Sequence, residues 1–123
     1  MAESFGVKMG VEGEKEFKNA LKEINSAFKV LGSEMNLVTS QFDKNDKSIQ
    51  SLSARNGVLT KEIEAQKNKV QTLQAALENA SSSFGEADSR TRSWQIQLNN
   101  AQADLNKMES ELKANEDLSL IHI

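Results

Sequence analysis

The sequence predicts an all-α protein of elongated, heptad-patterned helices, at about 14–42, 47–80 and 89–115, with a short strand-like arm in front. Two of the helices are expected to fold into a coiled-coil hairpin. Three observations lead there. The chain has 123 residues with no proline and only 5% aromatic residues. Its apolar residues are sparse and evenly spaced, which suits long helices burying a narrow stripe better than it suits a thick core. And one 3-4 apolar beat keeps its phase from Phe17 to Leu112, the signature of helices that pack along a seam.

The arm comes first. Within "SFGVKMGVEG" (4–13), Phe5, Val7, Met9 and Val11 alternate, so residues 1–13 read as a strand-like N-terminal arm. The glycine spacing does not match a phosphate-cradling loop. At Glu14 the period changes, and residues 14–117 form a helical region. Phe17, Leu21, Ile24, Phe28, Leu31, Met35, Val38 and Phe42 alternate between seam positions d and a. Glu14 and Glu16 favour the positive end of the helix dipole. The stripe passes through Gly32 without a phase change, which favours one helix. The alternative is two helices meeting at Gly32, with Ser33 as the second N-cap.

"DKNDKS" (43–48) is a turn, with Asp46 or Ser48 available to cap the next helix. The second helix continues the same numbering through Ile49, Leu52, Leu59, Ile63, Val70, Leu73, Leu77 and Ala80. "SSSFGEADSRT" (81–91) is the strongest break, and Asp88 or Ser89 can cap a third helix. Its seam is Trp94, Leu98, Ala101, Leu105, Met108 and Leu112, with Trp94 a packing anchor at the turn. The only polar seam positions are Asn45, Asn56, Gln66 and Thr91. Asn56 at a and Gln66 at d are candidates for setting register, since a polar group in a seam penalises slipped pairings. The alternative is a seam that is merely loose there, beside Gly57. A continuous rod is the alternative to the hairpin, and the first helix either packs on the hairpin or lies free.

Residues 118–123, "LSLIHI", break the pattern and match a translated transposon-end sequencing adapter. The expectation is a non-native tail, with the native frame running on past about Asp117.

Little here points to chemistry. The only histidine lies in that tail, and there is no cysteine. No nucleophile–base pair or metal-ligand spacing occurs, so no enzyme and no cofactor is expected. Net charge is −3 with both signs interspersed, which offers no basic face for nucleic acid and no polybasic segment for lipid. No apolar run reaches membrane-spanning length, and the mixed charges disfavour an interfacial helix. "NAS" (79–81) matches a glycosylation acceptor only formally.

The blocks "GVKMGVEGEKEFKNALKEINSAFKVLGSEMNLVTSQFDKNDKSI", "LTKEIEAQKNKVQTL" and "FGEADSRTRSWQIQLNNAQADLNKMESEL" carry a resemblance. In that order, over residues 5 to about 115, they resemble the N-terminal part of the tail tape measure proteins of Firmicutes-infecting siphophages and prophages. No single motif is a catalytic fingerprint; the order of the three blocks is what is specific. The resemblance implies a structural virion protein that sets tail length and templates tube assembly. Its partners would be itself, by coiled-coil association, and tail tube and tail assembly proteins. Its setting would be the host bacterial cytoplasm during assembly and the tail lumen in the mature virion. The alternative is a small cytoplasmic coiled-coil adaptor or scaffold.

Overall fold

The computed structural model describes residues 10–43, 46 and 48–121, with the side chains of 119–121 left undescribed. It contains three helices, α1 (Gly10–Ser40), α2 (Ile49–Phe84) and α3 (Ser89–Ile121). Among the described residues there is no strand. The arm expected over 1–13 is therefore corrected in part: residues 10–13 form the first turn of α1, while 1–9 lie outside the described residues. The reason is visible at Gly10, which has φ of 69°. Its N–H donates to Asn79 Oδ1 at 3.1 Å and to Ser83 Oγ at 3.0 Å, and its carbonyl accepts from Asn79 Nδ2 at 3.3 Å. Asn79 thus clasps the start of α1 to the end of α2 and satisfies helix-end groups that would otherwise need water.

α1 is one helix, continuous through Gly32. The seam's burial outweighs the propensity cost of a single glycine, about 1 kcal/mol. α2 begins where the turn residues indicate. Ser48 caps it, its Oγ accepting from Ser51 N–H at 3.2 Å, while Asp46 Oδ1 accepts from Ser48 N–H at 2.8 Å. At its far end α2 runs past the expected boundary, since Ser81–Phe84 are still helical. The stop is Gly85, at φ 91°, a backbone conformation open to glycine. Phe84 packs against the core, which favours carrying the helix one turn through the serines. Asp88 opens α3 by accepting from Arg90 N–H at 2.8 Å. α3 extends through Ile121 rather than ending near 115.

α2 is the central element, and the other two helices pack along it. α1 runs antiparallel to α2: Gly10 meets Asn79, Asn25 meets Lys69, Glu34 meets Lys61, and the Asp43 carbonyl meets Arg55. α3 is antiparallel to α2 as well, with Thr91 against Gly85, Ala101 against Gln66 and Asn115 against Asn56. The α2–α3 pair is thus a side-by-side hairpin, and α1 packs on it rather than lying free. At 1.5 Å per residue the longest helix measures about 54 Å, which replaces the long continuous rod with a folded-back bundle. α1 and α3 meet near their N-terminal ends, where Phe17, Leu21 and Trp94 share the core cluster.

This layout explains why α2 carries two buried stripes. One is the expected a/d seam of Leu52, Leu59, Ile63, Gln66, Val70, Leu73 and Ala80. The other repeats at positions c and g, as Ser51, Val58, Thr72, Ala76 and Asn79. Most of these second-stripe residues are small or short, so α1 can approach closely.

Gly32 and Gly57 sit inside helices, and a Cβ added at either would meet nothing within 4 Å. Gly32→Ala and Gly57→Ala should each stabilise the fold by about 0.5–1 kcal/mol. Urea denaturation followed by circular dichroism measures this; destabilisation by either variant would contradict an unbroken helix there.

Candidate functional site

The candidate site is the packing seam itself, and the structure distributes it unevenly. Phe17, Leu21, Leu52, Leu59, Ile63, Val70, Leu73, Trp94 and Leu105 are buried. Ile24, Met35, Leu77, Leu98, Met108 and Leu112 are partly buried and pack on that core. Phe28, Leu31 and Val38, in the second half of α1, and Phe42, just beyond its end, are only half-buried. Ile49 is 46% exposed, so the first seam position of α2 lies open. Phe28 has a further neighbour, because the Lys69 ammonium stands 5.9 Å from its ring centroid.

Polar positions in the seam are hydrogen-bonded across helices. Gln66, 2% exposed, donates from Nε2 to the Ala101 carbonyl at 2.8 Å. Asn115 Nδ2 donates to Asn56 Oδ1 at 3.0 Å. Thr91, also buried, donates from Oγ1 to the Gly85 carbonyl at 2.7 Å, tying the first turn of α3 to the C-cap of α2. Asn45, the remaining polar position, lies outside the described residues. A buried polar group without a partner costs on the order of 1–3 kcal/mol. Gln66 and Thr91 are buried and carry that stake, while Asn56 and Asn115 are only partly buried. All three bonds belong to the present alignment of α3 on α2.

Two contacts have no counterpart in the seam pattern. Trp94 Nε1 donates to Glu14 Oε2 at 3.2 Å in the buried junction of α1 and α3, and Lys18 Nζ stands 3.7 Å from the other oxygen of Glu14. Glu14 falls one heptad before Leu21, at an a position. Its acidic character conceals that role in the sequence. The second is the Asn79 clasp, whose buried amide is engaged with Gly10. Asn79 belongs to the c stripe of short residues on α2, a seven-residue repeat that apolar counting overlooks.

Electrostatics mark two further spots. At the α2–α3 turn, the Arg90 guanidinium forms two hydrogen bonds with the Asp88 carboxylate, at 3.0 and 2.9 Å, and lies 3.5 Å from the centre of the Phe84 ring. Those bonds to Arg90 hold the Asp88 carboxyl down to about 2. Midway along the α2–α3 pair the balance reverses. Partial burial, with the like charge of Glu111 added, pushes the Glu62 carboxyl above its ordinary value. Among the described residues no group of three His, Cys, Asp or Glu could hold a metal ion, and no helix is long and apolar enough to cross a membrane.

Leu73 is fully buried. Leu73→Ala should destabilise the chain by about 2–5 kcal/mol, read as a fall in the urea midpoint. Gln66→Leu tests something different. It should leave stability equal or higher, since an apolar side chain suits the seam, while adding alternative alignments that appear as extra amide resonances in NMR spectra. A single unchanged set of resonances would remove Gln66 as a register-setting residue.

The raised Glu62 has a pH consequence. Its folded form holds a proton more tightly than the unfolded chain does. Its contribution to stability is therefore fully present below the ordinary value of 4.5 and lost as pH rises through the raised value. Asp88 works oppositely, contributing above 3.8 and losing that contribution as pH falls toward about 2. Glu111→Gln should raise the thermal midpoint at neutral pH and shrink the Glu62 component of the pH profile. An unchanged midpoint and profile would contradict the carboxylate opposition.

Comparison with known proteins gives no match: no family model, no curated protein and no solved structure is similar to this chain.

Proposed function

We propose that this chain is the N-terminal part of a tail tape measure protein, a structural component that acts by helix–helix association and takes part in setting tail length and templating the tail tube. The observation that carries the reading is the order of the three sequence blocks. Each falls on its own structural unit. The opening block covers α1 and the turn after it, the second covers the middle of α2, and the third covers the α2–α3 turn with α3. The polar contacts at Asn56, Gln66 and Thr91 support a coiled-coil hairpin whose alignment matters.

The fold refines how such a segment would measure length. Laid out as one helix, roughly 100 residues would span about 150 Å. Folded back twice, the same residues span about a third of that. The proposed role of this part is therefore a compact head that starts assembly, with length counted elsewhere in the protein. Its partners would be further copies and the tube and assembly proteins, in the bacterial cytoplasm and then in the tail lumen. A cellular coiled-coil adaptor is the alternative.

Mass spectrometry of purified tailed particles from cells carrying the gene tests the proposal. Peptides of residues 10–117 should be present in the particles, at a few copies per tail. Their absence from particles, with the protein abundant in the cytosol, would leave the adaptor reading in its place.

A further inference from the structure

The seam is spent within the chain, yet two outer surfaces remain, and their charges are sorted. On α1, Lys15, Lys18, Lys22 and Lys29 all lie at heptad positions b or e. Glu16, Glu23 and Glu34 all lie at c or g, on the opposite edge. That glutamate edge also carries the exposed Val30 and Leu37, at 60% and 62%. A shallow groove continues it, lined by Ala20, Ile24 and Ala27 of α1 and by Thr72 of α2. α3 shows the converse. Its outer positions b, c and f, from Ser89 to Ala114, hold Arg92, Lys107 and Lys113 and no acidic residue, around the exposed Ile96, while Asp104, Glu109 and Glu111 stand on the flanking e and g edges.

We propose that the glutamate edge of α1 in one copy docks on the basic outer face of α3 in a second copy. Several observations favour this occupant. The two faces match in sign, and each carries exposed apolar residues, Val30 and Leu37 on one and Ile96 on the other. They also match in length, since Glu16 to Leu37 covers about 32 Å and Ser89 to Ala114 about 38 Å. Within one copy they cannot meet. α1 turns its lysine edge toward α3, where Lys18, Lys22 and Asn25 share a cleft with Trp94 and Gln97. Pairing the two glutamate edges would set carboxylates against carboxylates, and pairing the two α3 faces would set cations against cations. Such a contact joins two different surfaces, so it closes as a two-fold dimer where both pairs engage at once and otherwise repeats from copy to copy in an open chain or a ring. This inference is independent of the tail reading, and an adaptor would associate in the same way.

Charge reversal and then mixing of the two variants test it. Glu16→Lys/Glu23→Lys makes the α1 edge basic, and Arg92→Glu/Lys107→Glu makes the α3 face acidic. Analytical ultracentrifugation of the unaltered chain should show concentration-dependent association, weakened at least about tenfold by 1 M salt. Each double variant alone should be monomeric, with unchanged helicity and Trp94 fluorescence. Mixed in equal amounts, the two should associate again. Val30→Ser/Leu37→Ser, both at exposed positions, should also weaken association without unfolding the chain. A monomeric unaltered chain would overturn the interface. So would association that ignores the reversals, or variants that stay monomeric when mixed.

Discussion

The rest of the structure depends on α2 having two faces to bury. A helix with an apolar stripe must cover it, and α1 and α3 each bring a stripe of their own. α2 answers α3 with its a/d seam. It offers α1 a second stripe of mostly small and short residues, anchored at one end by Asn79. Because α2 lies between the others, a change on it is felt on both sides. Leu73 and Ala76, both fully buried, lie on the two stripes and belong to one continuous core.

The hydrophobic seam supplies most of the stabilisation but little of the specificity. Leu, Ile and Val repeated every seven residues pack nearly as well after a one-heptad slip. The bonds of Gln66 to the Ala101 carbonyl, Asn56 to Asn115 and Thr91 to the Gly85 carbonyl are the polar links that accompany the observed alignment. The Glu14–Trp94 bond plays the same part where α1 meets α3. Along α1 the packing is tightest at this end, where Phe17 and Leu21 are buried, and loosens toward Phe28, Leu31, Val38 and Phe42. The half-buried stretch of α1 is also where its outer edge exposes Val30 and Leu37.

The sequence displays the helices, their phase and the turn residues, because apolar period and capping chemistry are local properties. Ser48 and Asp88 are readable as caps, and the unbroken stripe through Gly32 points to a single helix. The second stripe of α2 is hidden because Ser51, Thr72, Ala76 and Asn79 do not register as apolar, although they repeat with the same period. Glu14 reads as a charge favouring a helix start, and its buried bond to Trp94 depends on residues 80 positions apart. The start of α1 at Gly10 likewise depends on a distant clasp. Local alternation of valines with glycines cannot reveal it. Whether a seam closes within one chain or between chains is equally invisible to periodicity, and it decides whether this segment is a rod or a bundle.

The distance between positions 56 and 115 tests the internally closed seam most directly. The chain has no cysteine, so Asn56→Cys/Asn115→Cys places one spin label at each position, and dilution with unlabelled chain removes signals between copies. Pulsed electron resonance should report one short distance, set by two side chains in contact plus their label arms. In a continuous helix the same positions would lie about 90 Å apart. Loss of the short distance on dilution would show that the seam closes between chains, and would contradict the folded-back bundle.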